Sequence, residues 1–389
     1  MLSPGARVAP NGCFMSENVI GAFRHGRAAR VLRVLCWIFL GLGLFILGFL
    51  LLVWFLTYHP APVENVAVTN RPDAPLLSRA QPFSVLNWNV QYMAGKNYVF
   101  FYDLLDGSGP DIRPRRVDID ATTREVARVI GEKRPDFILI QELDDGARRT
   151  DGEDQLAKLL ALLPPEYGSH ATAWYWKAAF VPHPKVWGRA GVKLAVISRF
   201  RLASATRHQL PLMPDWWVVQ QFNFKRAVLE VRVPLAEGGD LALMTTHLDA
   251  FAQGTDTMER QVGAVLKLLA THDAASRPFV LGGDFNLLPD RAAYDRLGPP
   301  QRAYFKPETE LARLRAQYAS IPSAAHTQGP DFAKWYTHFP NDPRVTGPDR
   351  TIDYLFLSPR LTVEEAAVLS EGTLRISDHF PLFAKFRLP

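Results

Sequence analysis

Residues 34–58 read VLCWIFLGLGLFILGFLLLVWFLTY, 25 consecutive positions without a charged side chain. In a bilayer only a helix or a closed barrel satisfies its own backbone groups, and a single apolar run can form only the helix. At about 1.5 Å per residue the run extends roughly 37 Å, enough to cross a hydrocarbon core with some tilt. Trp37 lies near one end and Trp54 and Tyr58 near the other, as an aromatic belt requires. A secretory signal would have an apolar stretch of about 7–15 residues followed by a small-residue cleavage site. The flank here is Thr57-Tyr58-His59-Pro60. An uncleaved transmembrane helix is therefore expected at 34–58.

Charge orients that helix. Arg7, Arg24, Arg27, Arg30 and Arg33 against Glu17 place four of the five net positive charges in the first 33 residues. A basic cytoplasmic tail at 1–33 and an extracytoplasmic remainder follow from the positive-inside rule. In a Gram-negative cell this would be the periplasmic side of the inner membrane. The remainder carries a net charge near +1, too little for a strong phosphate-backbone footprint. The chain's two cysteines, Cys13 and Cys36, lie in the tail and the helix, so the outer part must fold without disulfides or a cysteine-bound zinc. Residues 59–82, rich in proline, read as a semi-extended linker.

From residue 83 onward, apolar runs of strand length recur with helical stretches between them. Residues 83–90, 136–142, 194–198, 227–233, 241–247, 279–282, 351–357 and 380–386 read as strands. In 227–233 the alternation places Glu230 and Arg232 outward. A helix capped by Thr122 or Thr123 buries Val126, Val129 and Ile130, and Arg134-Pro135 stops it. A second helix at 258–270 turns Val262, Val265, Leu266 and Leu269 inward. Residues 95–120 read as a long irregular loop. Many strands with helices inserted between them predict an α/β fold, a four-layer αββα sandwich of two mixed, mainly antiparallel sheets, over 83–389.

Polar groups collect at the strand ends: Asn89, Glu142, His247, Asp284 with Asn286, Asp353, and Asp378 with His379. Taken singly, a terminal Glu is more often a solvated cap and a lone His a structural one. Together they contain what phosphoester hydrolysis requires. A carboxylate with a neutral oxygen, Glu142 with Asn89, suits a hard divalent cation such as Mg²⁺ or Mn²⁺. Histidines held by carboxylates can donate to phosphoryl oxygens as charge builds. Asp284, oriented by Asn286, can position and deprotonate water. Arg226, at the start of a strand, is the best candidate for a phosphate-binding cation.

The ordered motifs LNWNVQ, LIQELD, TTHLD, LGGDFN, TIDYLFLS and SDHFPL resemble the endonuclease/exonuclease/phosphatase superfamily across the whole outer domain. The resemblance implies a divalent-metal phosphodiesterase. It assigns Glu142, Asn89 and Asp378 to the metal and phosphate site and His247 to the scissile phosphate. It assigns Asp284 and Asn286 to the nucleophilic water, and His379 with Asp353 to a second catalytic pair. One departure is Gln91, where AP endonucleases tend to carry an aspartate; abasic-site repair is accordingly disfavoured.

The substrate is not decided by the family. Trp174-Tyr175-Trp176-Lys177, Trp187 and Pro214-Asp215-Trp216-Trp217 place aromatics in loop-like stretches where, with Lys177, Lys185 and Arg189, they could meet a lipid headgroup layer. A phospholipid headgroup or small phosphodiester is preferred. An extracytoplasmic nuclease acting on DNA or RNA, and a catalytically silent lipid- or protein-binding module, stand as alternatives.

Overall fold

The computed structural model describes residues 17–389, with side chains from residue 26 onward; Arg7, Cys13 and the rest of the first 16 residues of the expected tail lie outside the described residues. The first unit is one helix, α1 (Glu17–Leu56), which starts well before the uncharged run and ends two residues before its last position. Its segment Gly26–Leu56 is long and apolar enough to cross a membrane, and its large side chains, from Val31 to Phe55, are almost all exposed.

The second unit begins at Leu56. Its strands in chain order are β1 (Val63–Val66), β2 (Val68–Thr69), β3 (Phe83–Asn89), β4 (Phe137–Asp144), β5 (Ser169–Val181), β6 (Gly188–Ser198) and β7 (Ser204–Gln209). They continue as β8 (Ala227–Pro234), β9 (Asp240–His247), β10 (Phe279–Asp284), β11 (Ala319–Ile321), β12 (Asp353–Leu357), β13 (Thr362–Val368) and β14 (Leu382–Arg387). They form two seven-stranded sheets, in the orders β1-β7-β8-β9-β10-β12-β11 and β13-β14-β3-β4-β6-β5-β2. Among the strands of the described residues only β3/β4 and β9/β10 are parallel pairs. Both are strand–helix–strand units, connected by α2 (Arg116–Lys133) and, after the short helices α3 (Gln155–Leu160) and α4 (Trp217–Phe222), by α5 (Thr257–Ala274).

The period-two geometry of a strand explains the layers. On β4, Phe137 and Leu139 face the inter-sheet core with Val85, Leu243, Val280 and Leu355. Ile138 and Ile140 face the other way, beneath Val126, Val129 and Ile130 of α2. On β9 and β10, Ala242, Met244, Phe279 and Leu281 meet Val262, Val265 and Leu269 of α5. Two sheets between two helical layers is the expected four-layer sandwich.

The sheets approach closely at Gly282. A Cβ there would stand 2.7 Å from Leu139 Cδ1 and 2.9 Å from Asn87 Oδ1, both on the opposite sheet. Beside it, the buried Gln141 amide donates to Asn87 Oδ1 at 2.9 Å and, across the sandwich, to Thr245 Oγ1 at 2.7 Å.

Several local expectations are corrected. The proline-rich stretch 59–82 is not a free spacer: β1 pairs with β7 in one sheet and β2 with β5 in the other. Its short, proline-flanked strands suit sheet edges, where an unpaired backbone side is tolerated. Helix α2 begins at Arg116, within the expected loop, and Thr123 is an interior residue whose hydroxyl donates to the Ile119 carbonyl at 2.7 Å. Glu230 does lie on the face of β8 opposite to that of Leu229 and Val231 but is not solvated there: it is 7% exposed and lies 2.9 Å from His208 Nε2, 3.4 Å from Arg232 Nη1 and 3.6 Å from His272 Nε2. Trp174–Lys177 belongs to strand β5, with Tyr175 buried. By contrast Trp187, Trp216 and Trp217 are exposed.

Candidate active site

The site lies where both sheets present the same edge. In one sheet His247, Asp284 and Asp353 stand in a row across three neighbouring strands, His247 opposite Asp284 and Asp284 opposite Asp353. In the other, Asn89 ends β3 opposite Gln141, and β4 bulges between Ile140 and Leu143. The bulge sets Glu142 at φ +61°, a left-handed conformation unfavourable for a residue with a side chain, and re-aims it towards the site. Asn286 at φ +51° and the run Gln91, Tyr92 and Met93, all with positive φ, repeat that strain around the same edge.

Asn89 joins the two half-sites. Its Nδ2 donates to Glu142 Oε1 at 3.0 Å and to Asp284 Oδ2 at 3.1 Å. Its oxygen accepts the Gln91 backbone N–H at 3.0 Å, so the amide offers donors rather than its oxygen to the site. His247 Nε2 lies 3.3 Å and His379 Nε2 3.5 Å from that same Asp284 oxygen. The other Asp284 oxygen accepts the Asn286 N–H at 2.9 Å, while Asn286 Nδ2 donates to the Leu248 carbonyl at 3.2 Å. His379 Nδ1 is 2.8 Å from Asp353 Oδ2. The C-terminal motif is pinned by Ser377, whose hydroxyl donates to the Asn89 carbonyl, and by Trp88, whose indole donates to the His379 carbonyl.

Burial and charge divide the titratable groups. Burial, then the neighbouring Asp378, holds Glu142 above the usual carboxylate range. Burial also raises Asp284 to about 7, with Asp353 and Glu142 adding to it and His379 opposing. Burial lowers His247 well below the ordinary imidazole value, and Arg226 and His379 reinforce that. His379 differs: burial alone would lower it, but Asp353, Asp284 and Asp378 together raise it to about 10. Near neutrality His379 is thus an imidazolium and His247 a neutral imidazole.

Arg226 sits in the same cavity, 3% exposed, its Nε 3.4 Å from Asp249 Oδ1 and its guanidinium over the Phe224 and Tyr175 rings. Its Nη1 has no hydrogen-bond partner, an unusual state for a buried guanidinium N–H. Asp378 lines the cavity beside Glu142, with one oxygen accepting from the Ser377 hydroxyl at 3.2 Å.

Sequence reasoning passed over three neighbours. His338 packs edge-on against His379, ring centroids 4.5 Å apart, its Nε2 3.9 Å from Asp378. Burial, with His379 next, keeps it well below the ordinary imidazole value. The Tyr175 hydroxyl lies 3.4 Å from His247 Nδ1. Thr337 Oγ1 accepts the Asp353 N–H at 3.1 Å and so fixes the start of β12. His338 and Thr337 lie outside any apolar run, and the hydrophobic pattern carried no signal for them.

The oxygen-rich side of the cavity suits a hard cation. The charge of Asp378 adds to the cost of ionising Glu142, and the Gln91 side chain, 3% exposed and lining the same cavity, has no partner for either amide atom. A cation with its hydration shell would satisfy all three. Two further groups, His338–Asp378–His379 and Asp284–Asp353–His379, each bring three donor atoms within 4.8 Å of one another.

Fold and site together define a phosphoester hydrolase. The family model described as Endonuclease/Exonuclease/phosphatase family matches residues 86–379, and the chain belongs to that family, whose members are metal-dependent hydrolases. Among solved structures it is similar to an endonuclease/exonuclease/phosphatase from Beutenbergia cavernae DSM 12333, with 23% identity, a TM-score of 0.55, and coverage of 79% of this chain and 72% of that one. This likeness carries the fold. The human Nocturnin catalytic domain with bound sulfate anion follows at 18% identity and TM-score 0.49, covering 80% of this chain and 95% of that one. TDP2 from C. elegans stands at 14% and 0.47, covering 81% and 76%. No curated protein matches the chain.

Proposed function

We propose that the protein hydrolyses a phosphodiester by direct water attack, with Mg²⁺ or Mn²⁺ as cofactor, and that the substrate is a phospholipid headgroup or another phosphodiester bearing an apolar group. The observation that carries this reading is the lining of the cavity. It has a volume of about 800 Å³ and a lining of two kinds, the polar groups Glu142, His247, Asp284 and His379 and the apolar side chains Phe101, Val181, Trp187, Phe222, Phe224 and Phe251. A ligand matching both kinds has a charged phosphate and an apolar substituent.

In this reading Asp284, aligned through Asn286, takes the proton of the attacking water, which the Asn286 amide oxygen helps to place. Arg226 supplies its free Nη1 to a phosphoryl oxygen. His247, neutral, donates to an oxygen on which charge grows, where a fixed donor in a dry site is most effective, while the Asn89 amide, both its N–H groups committed, holds Glu142 and Asp284 in place. His379, held as imidazolium by Asp353, stabilises the same charge. Glu142 and Asp378 would hold the cation, which when bound would offset negative charge on the phosphate and the leaving group. Nothing is asked of Asp353 beyond orienting His379.

We further propose that α1 anchors the enzyme as a single-pass span, with the amino terminus cytoplasmic and the hydrolase outside, on the strength of the arginines before the apolar run. Arg148, Lys185 and Arg189 along the cavity favour one second reading, a nuclease that takes a single strand. A screen of the full chain in detergent separates the two. Sphingomyelin, other phospholipids, a chromogenic phosphodiester and supercoiled DNA would be tested with Mg²⁺, with Mn²⁺ and with EDTA. Turnover of lipid or chromogenic diester but not DNA supports the first; nicking that falls steeply with salt supports the nuclease.

A further inference from the structure

The chain passes from its apolar run into the second unit without slack. The uncharged run ends at Tyr58 and α1 at Leu56, yet Thr57 is already bridged to Ala178 on the outer edge of β5. The residues that follow are held in turn. Thr57 Oγ1 lies 3.0 Å from His59 Nε2, and the Tyr58 hydroxyl donates to Glu64, which also accepts the Ala61 N–H at 2.9 Å. The Gln209 N–H donates to the Pro62 carbonyl at 2.9 Å, and β1 begins at Val63.

This pairing fixes a distance. Ala178 stands opposite Ala190 of β6, and Ala190 is part of the cavity wall. Neighbouring strands lie about 4.8 Å apart, so two steps across the sheet, roughly 10 Å, separate Thr57 from that wall. Strand β5 ends at Val181, and the hairpin 182–187 that follows carries Trp187.

Side chains that line the cavity and are also exposed stand at its mouth. Ile112, Trp187 and Phe251 are large apolar examples. Arg148, Lys185 and Arg189 line it with them, and among the described residues none of the three has a carboxylate partner. The Arg148 and Lys185 side chains donate to backbone carbonyls, those of Val186 and Trp187 and that of Gly107. Unpaired cations around exposed aromatics complement a layer of anionic headgroups.

We propose that the mouth of the cavity docks on the anionic phospholipid surface of the bilayer that α1 spans, with Trp187 in the headgroup layer, so that the cavity opens into that layer. The inference rests on the reading of α1 as an uncleaved anchor.

The test uses the full-length chain with Cys13→Ser and Cys36→Ser and one added cysteine carrying bimane. The cysteine is Pro184→Cys in the hairpin or, as control, Ala236→Cys in the turn after β8, at the end of that strand away from Arg226. Each chain is reconstituted in vesicles of equal parts phosphatidylcholine and phosphatidylglycerol, with or without bromine on the acyl chains. Interfacial groups bury about 5–10 Å into the headgroup and acyl boundary, so bimane at 184 should lose about half its emission to bromine and bimane at 236 none. His183→Cys serves should Pro184→Cys not fold. The loss should shrink in phosphatidylcholine alone; an undiminished loss there overturns the part given to the basic rim. Equal emission at 184 and 236, in a chain that resists alkaline carbonate extraction, overturns docking and leaves the anchor standing. Extraction by carbonate overturns both. A label at 184 that ignores bromine and responds to a single-stranded oligonucleotide overturns docking and gives the rim to the nuclease reading.

Discussion

His379 spans two aspartates that face each other across an antiparallel strand pair, with Nδ1 2.8 Å from Asp353 and Nε2 3.5 Å from Asp284. One carboxylate is buried against the ring as its partner; the other shares its free edge with His247 and Asn89. In the proposed mechanism the two aspartates do different work, one holding an imidazolium and one holding water. Asp353→Asn should lower kcat by about two orders of magnitude or more with little change in KM, measured by steady-state kinetics on whichever diester the screen identifies.

That pair also sets the pH response. Asp284 acts as a base only when deprotonated, so the rate should rise through about pH 7. His379 acts only while protonated, so the rate should fall as pH approaches about 10. In Asp353→Asn the first charge holding the imidazolium is gone, and the falling limb should move to lower pH. A pH–rate profile with an unmoved alkaline limb would show that His379 is not the titrating group.

Glu142 is in a left-handed backbone conformation at a bulge, a position that favours Gly or Asn on conformational grounds. Glu142→Gly should therefore melt at the wild-type temperature or above it, with a gain of up to about 1 kcal/mol, while metal-dependent turnover disappears. Calorimetry and an assay on the same sample give both readouts. A variant that loses stability along with activity would mean that the bulge needs the side chain.

Arg226→Lys keeps the charge but loses the planar fork and its stacking over Phe224. Its expected signature is a fall in kcat/KM of about 10- to 100-fold. Trp187→Ala should raise KM for diesters with a long apolar substituent and spare small ones. Equal effects on both substrates would remove the apolar lining of the cavity from substrate choice.

Away from the site, Glu230→Ala should destabilise the fold by about 3 kcal/mol, because His208, His272 and Arg232 lose the carboxylate they surround. Burial opposes its ionisation, yet His208 and His272 hold Glu230 below its ordinary value. Its contribution is therefore complete above the ordinary carboxylate range and is lost as pH falls beneath it. The gap between wild type and variant in chemical denaturation should narrow in acid.

The sequence made the row His247, Asp284, Asp353 legible because each ends or begins an apolar run, and a strand has only one place to put a polar terminus. Pairing then brings those termini together without further information. Glu142 was visible for the same reason, although the bulge that aims it was not. Residues placed by loops had no such signal. Thr337 and His338 occupy irregular stretches, and Gln91 was noticed only as a departure from a motif. The 59–82 segment was misread because proline content speaks for extended backbone and says nothing of whether a sheet edge lies within reach. Glu230 shows the limit of alternation: an edge-facing charge and one enclosed by two histidines have the same period.

At Gly282 the opposing sheets are separated by less than one methyl group would need. One sheet bears Glu142 and Asn89; the other bears His247, Asp284 and Asp353. The thickness of the sandwich at that single position is therefore a gauge for the candidate site, set by a residue enclosed between the sheets. Enlarging it by one carbon would act like a shim between two halves of a vise, widening the jaws while leaving every reactive group intact.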